Sequence, residues 1–257
     1  MKRAAKYRTN NWEDLCLISN FLLIYKILII HILTQIKIYL NNSFPCSFIF
    51  APEMSSTTNL TKTTGNALSY ESYLHLIDEL LAAGKTTGND QNPSHLEKAP
   101  LNRQRMKRLD KVGVLSDELI NAIQRIQIPI SFLVITEGWC GDSAQNLPYI
   151  HKIAEAGKEK IKEFYFLRDE NPELMDQFLT NGARAIPKLI AIHQETGEVL
   201  FTWGPRPKQI QEWHYQMRQE NTLSKEELGV ELHQLYTKNK GEYLQNDFLY
   251  AFNSLSL

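Results

Sequence analysis

Residues 131–153 read SFLVITEGWCGDSAQNLPYIHKI, a strand that runs into a helix through a single cysteine. The apolar run ISFLVIT at 130–136 is typical of a strand buried on both faces, as in a parallel sheet. Residues 142–157 follow with helical periodicity, and Gly157 is a suitable stop. Trp139, Cys140 and Gly141 therefore lie at the turn between a strand and a helix.

Cys140 is predicted at the N-terminus of this helix, where free backbone N–H groups and the helix dipole stabilise a thiolate. The dipole contributes about 0.3–1 kcal/mol and up to ~2 kcal/mol in a partly buried site. An effect of that size lowers the pKa of a cysteine by roughly one. The carboxylates of Glu137 and Asp142 act against it. Two interpretations stay open, a nucleophilic thiol or a small buried apolar side chain.

The segments around this turn predict an α/β fold with added helices. After the helix come a strand in 162–170, a helix in 171–182, a hairpin in 187–203 and a helix in 207–219. From Ser131 the order is β-α-β-α-β-β-α. Helices are also predicted in 68–84, 101–114 and 115–126, with a loop at 86–100, and after Ser224 and Tyr243.

The block from Ser131 to about Gln216 resembles thioredoxin. Trp-Cys-Gly in a strand-to-helix turn is the opening of that family's active site, and Pro148 matches the proline that bends the active-site helix. ARAIPKLIAI at 183–192 and TWG at 202–204 match later landmarks in order. The resemblance covers about 85 residues, a third of the chain. The WCGDS form with N-terminal helices is most similar to small bacterial proteins known only as thioredoxin family.

Two departures from the family matter for chemistry. The second active-site cysteine falls on Ser143, and the buried acidic residue falls on Val134. Without an internal resolving thiol, Cys140 is restricted to monothiol chemistry, in which an external thiol resolves a mixed disulfide. A sulfenate at Cys140 is open to the same rescue. We expect Ser143 to donate a hydrogen bond to the Cys140 sulfur from the next turn.

The resemblance also implies a substrate groove beside the cysteine. It predicts a cis Ile186–Pro187 bond facing Cys140, which exposes backbone that an extended peptide pairs with. It assigns Trp139 as a half-exposed shield over the thiol. The expected catalytic residues are Cys140 and Ser143. The expected substrate-binding residues are Trp139, Gly141, Asp142, Ile186 and Pro187. Neither a metal nor a cofactor is expected.

Charged side chains leave further alternatives. The formal net charge of −1 gives no basic balance that favours nucleic acid. The basic run within 103–111 is interpreted as a solvated helix face or as an anion or partner site. Arg184 lies near the expected groove or in solvent. Arg206 and Lys208, at a predicted helix start, face the active-site rim or only water.

Residues 1–53 differ from the rest of the chain. They begin with a basic segment and continue with an Ile- and Leu-rich run that Lys26 and Lys37 interrupt. The alternatives are a signal or membrane anchor, or translation that starts at Met54. If translation starts at Met54, we expect a cytoplasmic protein. If residues 1–53 are a signal or an anchor, we expect an exported or membrane-anchored protein. The three cysteines show no disulfide or zinc spacing, which favours a reducing compartment.

The predicted organisation is a doubtful segment at 1–53, a flexible segment at 54–68 and a helical extension at 69–128. A thioredoxin-like domain at 129–220 and C-terminal helices at 221–257 follow.

Three functions compete at this point. The first is a monothiol thiol–disulfide oxidoreductase that acts on a protein or low-molecular-weight disulfide. The second is a non-catalytic binding module that uses the cis-Pro groove. The third is a metal or cluster site built from Cys140 across a dimer. It is the weakest, because no other cysteine lies near the fold to support it. Nucleic acid is not an expected partner.

Overall fold

The computed structural model describes residues 67–255. The predictions for 1–53, and for all but the last two residues of 54–68, lie outside this range. The helices are α1 (Tyr70–Ala82), α2 (Pro93–Val112), α3 (Asp117–Arg125), α4 (Gly141–Gly157), α5 (Pro172–Gln177), α6 (Lys208–Glu220), α7 (Lys225–Asn239) and α8 (Glu242–Leu255). The strands are β1 (Ile130–Thr136), β2 (Ile161–Leu167), β3 (Lys188–His193) and β4 (Val199–Trp203), and a 3-10 turn (Lys158–Lys160) precedes β2.

The strands form a four-stranded mixed sheet in the order β2-β1-β3-β4. β1 pairs in parallel with β2 and antiparallel with β3, and β3 pairs antiparallel with β4. Every residue of β1 is buried, as its continuous apolar run predicted. The β-α-β-α-β-β-α order and this sheet confirm the predicted thioredoxin-like α/β fold.

Alternate residues of β1 face two separate apolar clusters. Phe132 and Val134 pack in the larger cluster, with α4 and the added helices. Leu133 and Ile135 pack in a smaller cluster that also contains Cys140. This alternation follows from the two-residue period of a strand. It places the cysteine over one face of the sheet while α4 covers the other.

The boundary of α2 differs from the sequence prediction. Part of the segment predicted as a loop at 86–100 is helical, because α2 begins at Pro93. The Asn92 side chain caps the helix by accepting a hydrogen bond from the His95 N–H, and Pro93 occupies the first turn. Asn-Pro-Ser is therefore a helix start here rather than a loop signal.

The helix predicted at 171–182 is also shorter than expected. α5 ends at Gln177, and Thr180 and Ala183 then form an isolated β-bridge. Gly182, which was expected just beyond the helix, instead serves this turn with a φ of 76°. The backbone hydrogen bonds between Thr180 and Ala183 replace a further helical turn.

The added helices pack onto the thioredoxin-like core. Tyr73 and Ile77 of α1 are buried against it, and α2 lies along α4. At the other end of the chain, Phe248 of α8 packs edge-to-face against Phe132 and Phe201. No helix among residues 67–255 is both long and apolar enough to cross a membrane.

Candidate active site around Cys140

Cys140 is the N-cap residue of α4, as the strand-to-helix pattern predicted. Its backbone N–H donates to the Glu137 carbonyl oxygen at 3.1 Å, which holds the turn closed. The thiol donates to the Ile186 carbonyl oxygen at 3.3 Å, and its sulfur accepts from the Ser143 N–H at 3.5 Å. Only 8% of the residue is exposed. The thiol is therefore fully engaged by its neighbours.

The environment holds Cys140 in its protonated form. Burial, followed by the negative charge of Asp142, raises the pKa of Cys140 to about 11. Hydrogen bonds from the Ser143 side chain and from backbone N–H groups act in the opposite direction. The helix N-terminus therefore does lower the pKa, as expected, but desolvation has the larger effect because it penalises only the charged thiolate.

The Ile186–Pro187 peptide is cis and adjoins Cys140. Both residues are buried. The Ile186 carbonyl oxygen, where the resemblance places substrate backbone, accepts the thiol hydrogen bond instead. A peptide that pairs here must displace that internal contact.

Asp142 lies in a buried ion pair. Its carboxylate accepts from Arg206 at 3.0 Å from Nε and 2.7 Å from Nη2, and from the Tyr236 hydroxyl at 2.8 Å. Of the two alternatives for Arg206, the structure therefore has it facing the active-site turn. Burial raises the pKa of Asp142, and the Arg206 charge opposes that rise. Tyr236 was not predicted, since nothing in the sequence of α7 distinguishes it from a core tyrosine.

α7 also covers the first turn of α4 through His233. An added Cβ on Gly141 would lie 2.9 Å from the His233 ring, and Gln145 contacts the ring nitrogen Nδ1 at 3.2 Å. Gly141 is therefore needed for the close packing of α4 against α7. His233 was also missed, because a lone histidine in a polar helix carries no sequence signal.

Trp139 is half-buried beneath α2 and the end of β2. Its ring stacks on His95 with centroids 3.9 Å apart, and the Arg168 guanidinium lies 4.9 Å from the ring centroid. The indole N–H is buried and has no hydrogen-bond partner among the described residues. The expected shield over the thiol is thus itself covered by the start of α2.

The two positions at which the sequence departs from the dithiol pattern, Val134 and Ser143, are both buried. Val134 is fully buried in the larger cluster, so no carboxylate occupies that place. Glu137 is instead a fully buried acid in the turn, where Oε1 accepts from the Asp169 N–H at 3.1 Å and Oε2 has no partner among residues 67–255. Burial raises the pKa of Glu137. Ser143 is buried behind Cys140 and its hydroxyl accepts from Thr136 at 2.8 Å.

Several other candidates lie outside the site. Arg184 forms an exposed ion pair with Asp176. Trp203 is in the core and donates to Asp247 at 2.8 Å. Among the described residues, no three or more His, Cys, Asp or Glu side chains lie close enough together to hold a metal ion.

One family of known proteins matches just over half of the chain. The family described as thioredoxin matches residues 88–221, which is 134 of the 257 residues. A protein of unknown function from Pseudomonas aeruginosa is similar at 16% identity and a TM-score of 0.46, covering 73% of this chain and 98% of that one. An HIV epitope scaffold is similar at 15% identity and a TM-score of 0.40, covering 74% and 96%. The search of curated proteins found no match. On the family match, the chain belongs to the thioredoxin family.

Proposed function

We propose that the protein is a monothiol thiol–disulfide oxidoreductase of the WCGDS type, with Cys140 as its nucleophile. The observation that carries the proposal is the position of the Cys140 sulfur. It lies at the N-terminus of α4, 3.3 Å from the carbonyl oxygen that precedes the cis-proline. That juxtaposition places a nucleophile beside a backbone acceptor for an extended substrate.

The exchange proceeds in two balanced steps. The Cys140 thiolate attacks one sulfur of an external disulfide, so that a mixed disulfide forms and the other sulfur leaves as a thiolate. An external thiolate then attacks the mixed disulfide, regenerates Cys140 and departs in a new disulfide. Ser143 cannot perform this second attack, so the resolving thiol comes from a second molecule. The substrate class is a protein or low-molecular-weight disulfide.

The described conformation is the resting state of this cycle. With a pKa of about 11, the fraction of Cys140 present as thiolate at neutral pH is very small. The contacts that bury the sulfur, including that with the Ile186 carbonyl oxygen, must open before a substrate reaches it. Arg206 and the α4 N-terminus then remain beside the thiol to stabilise the thiolate.

A second function is favoured by the burial of Cys140 and its raised pKa. On that view the fold is a binding module, Cys140 is an internal packing residue, and a partner docks at the cis-Pro groove. The two functions differ in one respect. A binding module keeps its partner when Cys140 is replaced by Ser, whereas an oxidoreductase loses its exchange activity.

The test uses the full chain with Cys16→Ser and Cys46→Ser, so that Cys140 is the only thiol. Folded protein is incubated with glutathione disulfide, and its intact mass is measured over time. We expect a single glutathione adduct that dithiothreitol removes and that is absent after Cys140→Ser. If the chain stays unmodified while folded, yet reacts fully in urea, the oxidoreductase function is contradicted. The binding-module function is then the one that is left.

A further inference from the structure

Three buried hydroxyl groups lead from the added helix α1 to the active-site cysteine. The Tyr73 hydroxyl lies 3.2 Å from Thr136 Oγ1, and Thr136 Oγ1 lies 2.8 Å from Ser143 Oγ. Ser143 in turn contacts Cys140, because its backbone N–H donates to the Cys140 sulfur at 3.5 Å. Tyr73 and Thr136 are fully buried and Ser143 is 1% exposed, so water does not compete for these contacts.

The direction of the series follows from counting protons. Each hydroxyl carries one proton and accepts through its oxygen. Thr136 uses its proton on Ser143 Oγ, so the Tyr73 hydroxyl must be the donor to Thr136. Ser143 accepts from Thr136, which leaves its own hydroxyl proton available to a thiolate at Cys140. The protons of Tyr73 and Thr136 therefore both point along the series towards Ser143, next to the sulfur.

We propose that Tyr73, Thr136 and Ser143 form a polarised hydroxyl chain that stabilises the thiolate of Cys140, with Tyr73 as a positioning residue. Hydrogen bonds in such a chain strengthen one another in a dry, low-dielectric interior. The contribution of this chain to thiol–disulfide exchange rests on the proposed oxidoreductase function. Its effect on the acidity of the thiol does not depend on that function.

The chain acts against a contact that favours the thiol. The Ile186 carbonyl oxygen accepts the S–H proton, and this hydrogen bond is lost when Cys140 ionises. A hydrogen bond from the Ser143 hydroxyl to the sulfur would be strongest with the charged form, so the chain favours the thiolate. Burial raises the pKa of Tyr73 far above its ordinary value, so that hydroxyl keeps its proton. The chain therefore has a fixed direction at every working pH.

Other charged groups around Cys140 come from different elements. Asp142 of α4 disfavours the thiolate, and Arg206, which precedes α6, favours it. His233 of α7 covers Gly141, and burial lowers its pKa to about 4, so it is neutral at working pH. Glu137 lies near Tyr73 in the turn before α4. None of these groups is altered by removing the Tyr73 hydroxyl.

The test measures alkylation of Cys140 by iodoacetamide from pH 7 to 9.5 in the Cys16→Ser, Cys46→Ser chain. Below its midpoint the rate is proportional to the thiolate fraction, so a pKa rise of one lowers the rate about tenfold. We expect Ser143→Ala to slow the reaction about tenfold, because one charge-assisted hydrogen bond is lost. Thr136→Val and Tyr73→Phe, acting through cooperativity, should slow it roughly two- to threefold.

A double substitution separates the chain from a general effect on packing. Tyr73→Phe in the Ser143→Ala background should have no further effect on the rate, since the chain is already cut. The control is Tyr70→Phe, which removes a buried α1 hydroxyl that donates to Asp110 at 2.9 Å instead of to the chain. This variant should leave the rate unchanged.

Two results would overturn the proposal. One is a Tyr73→Phe rate equal to that of the parent while Ser143→Ala is slowed. The other is equal slowing by Tyr73→Phe with and without Ser143. Because alkylation does not require exchange, either result is distinct from failure to form the glutathione adduct.

Discussion

Arg206 donates two hydrogen bonds to Asp142, at 3.0 Å from Nε to Oδ1 and at 2.7 Å from Nη2 to Oδ2. The pair neutralises the charge two residues after Cys140, and Tyr236 of α7 adds a third donor to the carboxylate. Asp142 thus joins the active-site helix to the segment before α6 and to the C-terminal extension. A residue that resembles a simple substrate contact in the sequence is a structural anchor in the fold.

Asp142→Asn should make Cys140 more reactive and the fold less stable. The negative charge that raises the Cys140 pKa is removed while Arg206 remains, so alkylation at pH 8 should become severalfold faster. Leaving Arg206 buried without its partner should cost about 3 kcal/mol of unfolding free energy, measured with urea. Asp247→Asn is the control, because this buried carboxylate accepts from Trp203, away from the thiol. Equal acceleration in both variants would mean that loosening, rather than charge, exposes Cys140.

Ser143→Cys should restore dithiol chemistry. The Ser143 N–H already donates to the Cys140 sulfur at 3.5 Å, so a cysteine at this position lies one helical turn from the thiol. In the Cys16→Ser, Cys46→Ser chain we expect an intramolecular disulfide after equilibration in a glutathione buffer, detected by loss of both free thiols. Ala144→Cys, one residue further along α4, should retain free thiols. Failure of the first variant to oxidise would contradict the described geometry of the turn.

Gly141→Ala should strain the contact between α4 and α7. The new Cβ would lie 2.9 Å from the His233 ring, which forces the ring to move. We expect a loss of about 1–3 kcal/mol, as for other overpacked sites, and faster alkylation of Cys140 as the packing around the turn loosens. Adding His233→Ala removes the clash. The double variant should therefore lose less stability than the sum of the two single variants, and a strictly additive result would contradict the contact.

The stability of the protein should fall as the pH drops below 6.5, in part because of His233. Burial, followed by the charges of Arg105 and Arg206, lowers the folded-state pKa of His233 to about 4. A group with a depressed folded pKa contributes stability above its unfolded pKa, about 6.5, and loses it as the pH falls towards 4. Between pH 6.5 and 5 this loss is at most about 2 kcal/mol.

His233→Gln should flatten this dependence, measured as urea midpoints at pH 7 and pH 5. His214 contributes with the same sign, since burial lowers its pKa to about 4. Asp247 contributes with the opposite sign, because burial raises its pKa to about 6 and its stabilising effect is lost as the pH rises. His75→Gln, at an exposed position of α1, is the matched control and should leave the slope unchanged.

The local sequence was sufficient for the strand, the turn and the helix that present Cys140. The seven-residue apolar strand and the helix that starts at Gly141 both depend on interactions between near neighbours in the chain. The resemblance to thioredoxin extended this to the sheet and the cis-proline. The start of α2 was missed because Asn-Pro-Ser is suited both to a turn and to a helix N-terminus. Only the packing of α2 on α4 selects the helix.

The state of the thiol was decided by tertiary structure. Cys140 is buried among side chains that are distant from it in sequence, such as Phe178 and Ile186, while its neighbours Trp139 and Gly141 lie against His95 of α2 and His233 of α7. The pairing of Arg206 with Asp142 likewise joins positions 64 residues apart. The sequence alone therefore determined where the sulfur sits in the chain and which helix presents it. Its pKa depends on desolvation and on charges within a few ångströms, and those are properties of the assembled fold.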